Sequence, residues 1–82
     1  MASKSQELKY EIINQIGTLS ISPSGWRIEL NSVSWNGTEP KYDLRSWAPD
    51  HAKMGKGITL TDDDIIALSK LLNKEVEFLK EE

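Results

Sequence analysis

The chain has 82 residues, 38% of them hydrophobic and 28% charged, with no cysteine and one histidine. These figures describe one small soluble domain and exclude a multidomain enzyme, a disulfide framework, thiol chemistry and iron–sulfur ligation. A core this small has no disulfide or zinc set to reinforce it, so association with a second copy is the expected route to stability. No cofactor or metal is expected, no apolar run reaches the length of a signal core or membrane span, and the chain reads as cytoplasmic.

The formal net charge of -3 hides an uneven distribution. Residues 61–82 set three lysines against seven acids, whereas Trp26 to Leu60 carries five basic side chains (Arg27, Lys41, Arg45, Lys53, Lys56) against four acidic ones. Acidity is thus concentrated at the C-terminus, and the middle of the chain is free to present a locally positive surface.

Residues 1–9 lack apolar periodicity and are expected to form a flexible tail before a domain spanning residues 10–82. Tyr10 to Ile21 is rich in isoleucine, but its alternation breaks near Ile12-Ile13 and Gly17, which predicts a strand with a bulge or bend. Ser22-Pro23-Ser24-Gly25 is a turn cluster. Trp26 to Trp35 alternates as a half-buried strand, with Trp26, Ile28 and Leu30 on one side and Arg27, Glu29, Asn31, Val33 and Trp35 on the other. Trp26, beside Ile28 and Leu30, is expected in a core or an interface.

Asn36-Gly37 supplies the positive-φ pair of a hairpin turn, and Lys41 to Trp47 alternates again, with Lys41, Asp43, Arg45 and Trp47 opposite Tyr42, Leu44 and Ser46. Ala48 to Lys56 reads as an exposed mobile loop, and Gly57 to Leu60 as a short closing strand. Thr61 followed by Asp62, Asp63 and Asp64 has the hydroxyl cap, the reciprocal carboxylate and the N-terminal negative charge of a helix start. The helix that follows repeats Ile65, Leu68, Leu72, Val76 and Leu79 at helical spacing. Ile66, Leu71 and Phe78 widen that stripe, which predicts a helix–helix contact. The fold class is α+β, a curved sheet of four antiparallel strands and one C-terminal helix.

No nucleophile, base and orienter cluster together, so catalysis is not expected. His51 has no evident partner, the three aspartates serve the helix cap, and Lys53-Met54-Gly55-Lys56-Gly57 lacks the spacing of a phosphate loop. The informative set is Trp35, Arg45 and Trp47 with Arg27, Lys41, Lys53 and Lys56. On alternation, Trp47 stands opposite Leu44, outside the hydrophobic face, and Trp35 shares a side with Arg27. Outward indoles interleaved with cations suit unpaired nucleic acid, because bases stack on flat rings while the cations track phosphates. The alternative is that the tryptophans fill a dimer interface and the cations pair with surface acids.

Several short motifs then fall in order. Gly25-Trp26-Arg27, Glu29-Leu30-Asn31, Val33-Ser34-Trp35-Asn36 and Glu39-Pro40-Lys41-Tyr42-Asp43 lead to Tyr42-Asp43-Leu44-Arg45-Ser46-Trp47, Pro49-Asp50-His51 and Lys56-Gly57-Ile58-Thr59-Leu60 before a capped helix. Over Trp26 to Leu72 this resembles the single-stranded-DNA-binding domain of the positive cofactor four family of transcriptional coactivators, most closely its bacterial YdbC-type members. The resemblance implies a ββββα homodimer joined through its C-terminal helices, with curved sheets binding single-stranded DNA. Carried over by position, Trp35 matches the aromatic before the hairpin turn, Arg45 the strand-three arginine and Lys56 the lysine before the closing-strand glycine; Trp47 matches the strand-three aromatic within one residue.

The eukaryotic members place lysine where this chain has Trp26 and Asn36, and these 82 residues hold no counterpart of their Ser- and Lys-rich extension. The expectation is therefore a non-enzymatic, nucleoid-associated, sequence-tolerant binder of single-stranded DNA acting with the transcription machinery. Arg27, Lys41, Arg45, Lys53 and Lys56 would lie on phosphates, and Trp35 and Trp47 under bases. RNA is an alternative ligand, since stacking does not discriminate the sugar, and a protein-interaction module is the alternative from another class.

Overall fold

The computed structural model describes residues 9–81; the expected tail, Lys9 apart, lies outside the described residues. Strands β1 (Tyr10–Ile21), β2 (Arg27–Trp35), β3 (Lys41–Trp47) and β4 (Met54–Leu60) form an antiparallel sheet in chain order, followed by helix α1 (Asp62–Lys80). The β2–β3 hairpin turns at Asn36 and Gly37, both at positive φ, with Thr38 N–H donating to the Trp35 carbonyl at 2.9 Å. α1 starts where the sequence predicts. Thr61 Oγ1 accepts from Asp64 N–H while the Asp64 carboxylate accepts from Thr61 N–H, a reciprocal cap that satisfies two otherwise orphaned donors.

The sheet is strongly bent. β1 slips register against β2 three times, between Ile12 and Asn14, Gln15 and Gly17, and Thr18 and Ser20. The skipped residues are Ile13, Ile16 and Leu19, and each slip adds twist and curl to the strand. The bend shows in its contacts. Arg45 is registered with Glu29 on β2, six residues from Trp35, a separation of roughly 20 Å on a flat strand. Yet its guanidinium lies 4.9 Å from the centre of the Trp35 ring. The concave side is therefore the one carrying Arg27, Glu29, Asn31, Val33 and Trp35 of β2 and Lys41, Asp43, Arg45 and Trp47 of β3.

This concavity holds what interior the described chain has. Val33, Trp47 and Ala48 are its buried apolar residues, and Glu29, Asn31 and Asp43 are buried beside them. The convex side carries Ile28, Leu30, Tyr42, Leu44, Ile58 and Leu60, and Ile28 and Ile58 are exposed. The expected assignment of sides is thus inverted within one chain, because curvature encloses the face that bears the polar groups and leaves the apolar face open. Trp26, grouped with the convex residues, is half-buried.

The loop after β3 is also shorter and more ordered than expected. It contains a 3₁₀ turn at Pro49–His51, and β4 begins at Met54 instead of Gly57. Helix α1 meets the sheet at β3 and β4, through its first turns: only Ile65 and Leu68 are half-buried, and every other described helix residue is exposed. The radius of gyration is 15.4 Å, against about 12 Å for a compact chain of this length. Much of the apolar stripe of α1, including Ile66, Leu71, Leu72, Val76, Phe78 and Leu79, faces solvent.

Candidate nucleic-acid interface

The concave face is organised around an aromatic column. Trp47 stacks on His51 with ring centroids 4.3 Å apart and planes 18° apart, and Tyr10 packs on Trp47 at 5.6 Å and on Trp35 at 5.8 Å. Tyr10 can touch both indoles because it opens β1, registered opposite Trp35, while the curl brings the far end of β3 beneath it. Both indole N–H groups are buried without a hydrogen-bond partner, so the packing uses the ring faces and leaves the polar edges unserved.

Trp47 departs from expectation: it is 1% exposed, sealed by Tyr10 and His51. The alternation placed it correctly on the side of Lys41 and Arg45, but that side is concave and is covered by β1 and by the Pro49–His51 turn. An indole there is interior, and the expectation of an outward Trp47 is corrected. Trp35 is half-buried, and Tyr10, 38% exposed, is the most open ring of the cluster. Tyr10 was missed because its role depends on which strand pairs with β1, which alternation does not reveal.

Arg45 also departs from the picture of a free phosphate clamp. Its Nε donates to Asp43 Oδ1 at 2.6 Å and its Nη2 to Asp43 Oδ2 at 2.8 Å, while Nη1 donates to the Gly55 carbonyl at 3.2 Å. With its side chain 14% exposed, it supports the site from within. The fork neutralises the fully buried Asp43, ties β3 to β4 and lies against Trp35. Gly57 permits this course, since a Cβ there would overlap the Arg45 side chain. Arg27, Lys41, Lys53 and Lys56 are all exposed, as a phosphate-tracking set requires.

A second polar group lies beside the column. His51 Nε2 donates to both Glu29 carboxylate oxygens at 3.0 Å, and Asn31 Nδ2 donates to Glu29 Oε1 at 3.1 Å. Burial pushes the Glu29 carboxyl up, but the hydrogen bonds from His51 and Asn31, with the nearby charges of His51 and Arg27, outweigh it and hold the group below its ordinary value. The pair fixes His51 over Trp47. Both Asp50 and His51 adopt positive φ, a conformation uncommon for residues other than glycine, so the turn is held in place by these contacts. Neither Glu29 nor Asn31 stood out in the sequence, although both share the alternation of Trp35. Among the described residues no three His, Cys, Asp or Glu side chains converge as a metal-ligand set, and no helix is long and apolar enough to cross a membrane.

The family model described as Transcriptional Coactivator p15 (PC4) matches residues 22–71, which run from the turn before β2 into the middle of α1. An uncharacterized protein of Treponema pallidum (strain Nichols) is 55% identical over 67 residues, 82% of this chain and 79% of that protein. With the curved ββββα sheet and the cation-flanked aromatic cluster in place, this chain belongs to the Transcriptional Coactivator p15 (PC4) family.

Proposed function

We propose that this chain binds single-stranded DNA with little sequence preference, as a homodimer and without catalysis, in the service of transcription. The observation that carries the reading is the exposed set Arg27, Lys41, Lys53 and Lys56 on a chain whose concave face presents Tyr10 and the half-buried Trp35. Unpaired bases stack on those rings while the cations displace condensed counterions from the phosphates. Arg45 and Trp47 act beneath this surface, Arg45 by positioning Trp35 and Trp47 by supporting Tyr10. The nucleic-acid contacts are thus Arg27, Trp35, Lys41, Lys53 and Lys56, with Tyr10 added.

The dimer reading rests on the apolar stripe of α1 and on convex Ile28 and Ile58, which are exposed in the single chain. A second copy, offering the same surfaces about a two-fold axis, would cover them. Family membership supports nucleic-acid binding and a transcription-cofactor role.

The test is a gel-shift comparison of single-stranded with duplex oligonucleotides, with tryptophan emission followed as oligo-dT is added at rising salt. The expected result is retention of the single strand alone, quenching at low salt and a steep loss of affinity as salt rises. Unchanged emission and no retention at low salt would reject the proposal. A matched RNA strand in the same assay distinguishes the sugar preference.

A further inference from the structure

The aromatic column of the concave face has two ends. Trp35, packed on Tyr10 at 5.8 Å, forms one, and beyond Tyr10 and Trp47 the His51 imidazole forms the other. One face of that imidazole lies nearly parallel on Trp47. The side chain is still 28% exposed, and it lines a cavity of about 540 Å³ together with Gln15, Thr18, Arg27, Glu29 and Asn31, among others. That size lies within the range of small-ligand sites.

The imidazole is ordered before any ligand arrives. Its Nε2 donates to both Glu29 oxygens at 3.0 Å, Trp47 fixes its plane, and the His51 backbone N–H donates to the Ala48 carbonyl at 2.9 Å. A flat ring already fixed in place can receive a second ring without the ordering cost of a mobile side chain. The rest of the lining both donates and accepts. The Gln15 and Asn31 amides and the Thr18 hydroxyl do both and Arg27 donates, while the Glu29 carboxylate is engaged by His51 and Asn31. Gln15 and Thr18 are exposed and can turn to suit a ligand. Such a lining can meet the edge of any base, so a base held here is held by its face. Arg27, exposed and registered opposite Trp47, sets a cation at the same cavity, where the phosphate of that nucleotide would lie.

We propose that His51 is a third stacking platform, its open face receiving an unpaired base in this cavity, so that the column grips a strand at both ends: Trp35 with Tyr10 at one, His51 at the other. The inference rests on the reading of the concave face as a single-strand track, and it assigns a base contact to a residue outside the tryptophan and cation set.

His51 is the only histidine of the chain, so its ring C–H signals in a proton–carbon NMR spectrum report on this site without any substitution. Saturating the full chain with oligo-dA should move those signals upfield, through the ring current of the stacked base, while the anisotropy of a labelled strand establishes that binding is complete. His51→Ala should bind oligo-dA and oligo-dT about tenfold more weakly, by a comparable factor for each. His51→Phe, which keeps a flat face but drops the bond to Glu29, should retain most of the affinity. A thermal melt establishes that each variant is folded. Unmoved histidine signals at saturation, full affinity in folded His51→Ala, or an equal loss in folded His51→Phe would each overturn the platform while leaving the track intact. Failure of the wild-type chain to bind any strand would overturn the track itself.

Discussion

Trp47 and His51 stack at 4.3 Å, which makes the imidazole the cover of an indole that alternation alone would have left in solvent. Tyr10 closes its other flank. The ring is therefore the largest fully buried side chain of the described chain, and its removal tests whether the concave side is a core. Trp47→Ala should cost about 3–5 kcal/mol by emptying that space. Trp47→Phe should cost far less, since the indole N–H it discards has no partner to lose. Chemical denaturation of the two variants should show the ordering, and equal small losses would mean that Trp47 is not part of the core.

The Glu29 carboxyl predicts an acid-sensitive fold. Its folded value lies below the ordinary 4.5, so the unfolded chain binds this proton more readily. The resulting stabilisation is fully present above the unfolded value and is lost as pH falls through the folded one. Thermal melts of the wild-type chain and Glu29→Gln should therefore differ above the ordinary value and converge as pH falls below it. A gap that stays constant through the whole acid range would show that the carboxylate charge contributes nothing.

How much of this was legible in the sequence follows from what each feature depends on. The Asn36-Gly37 turn, the Thr61 cap and the β2–β3 alternation are local, set by φ preferences and by groups within four residues, and the structure keeps all three. The direction of sheet curvature is not local. It comes from three register slips along β1, of which the sequence shows a broken alternation but not the sum, and alternation alone then points to the side with more apolar residues as the inside. The pairing of Arg45 with Asp43 was hidden for a related reason: two residues apart on a strand they share a face, but only burial decides whether the arginine turns to its neighbour or to a phosphate. His51 lacked an evident partner because Glu29 is 22 residues away.

The exposed cations should act one by one and without regard to base. Replacing Lys41, Lys53 or Lys56 with alanine should weaken binding to every single strand alike and reduce the slope of log affinity against log salt by about 0.7 each, the value for one single-strand phosphate contact. Arg45→Ala should behave differently. It leaves Asp43 buried without its partner, so the expected signature is a loss of thermal stability, together with altered Trp35 emission. Should Arg45→Ala lower the salt slope at unchanged stability, the arginine would be a phosphate ligand after all.

The helix provides the last prediction. Leu71 is 63% exposed in the single chain, and an aspartate at that position would cost a monomer almost nothing, since surface substitutions away from packed features change stability by about half a kcal/mol or less. If the apolar stripe is instead buried against a second copy, the same change places an unpaired carboxylate in an apolar contact, and assembly should fail. Leu71→Asp should therefore convert a dimer into a monomer by light scattering. It should also weaken single-strand binding, because two linked tracks hold a long strand better than one. Strands of increasing length separate the effects: the variant should match the wild-type chain on an oligonucleotide too short to span both subunits and fall behind as the strand lengthens. A wild-type chain that is monomeric at every concentration would remove the basis for the comparison and for the dimer.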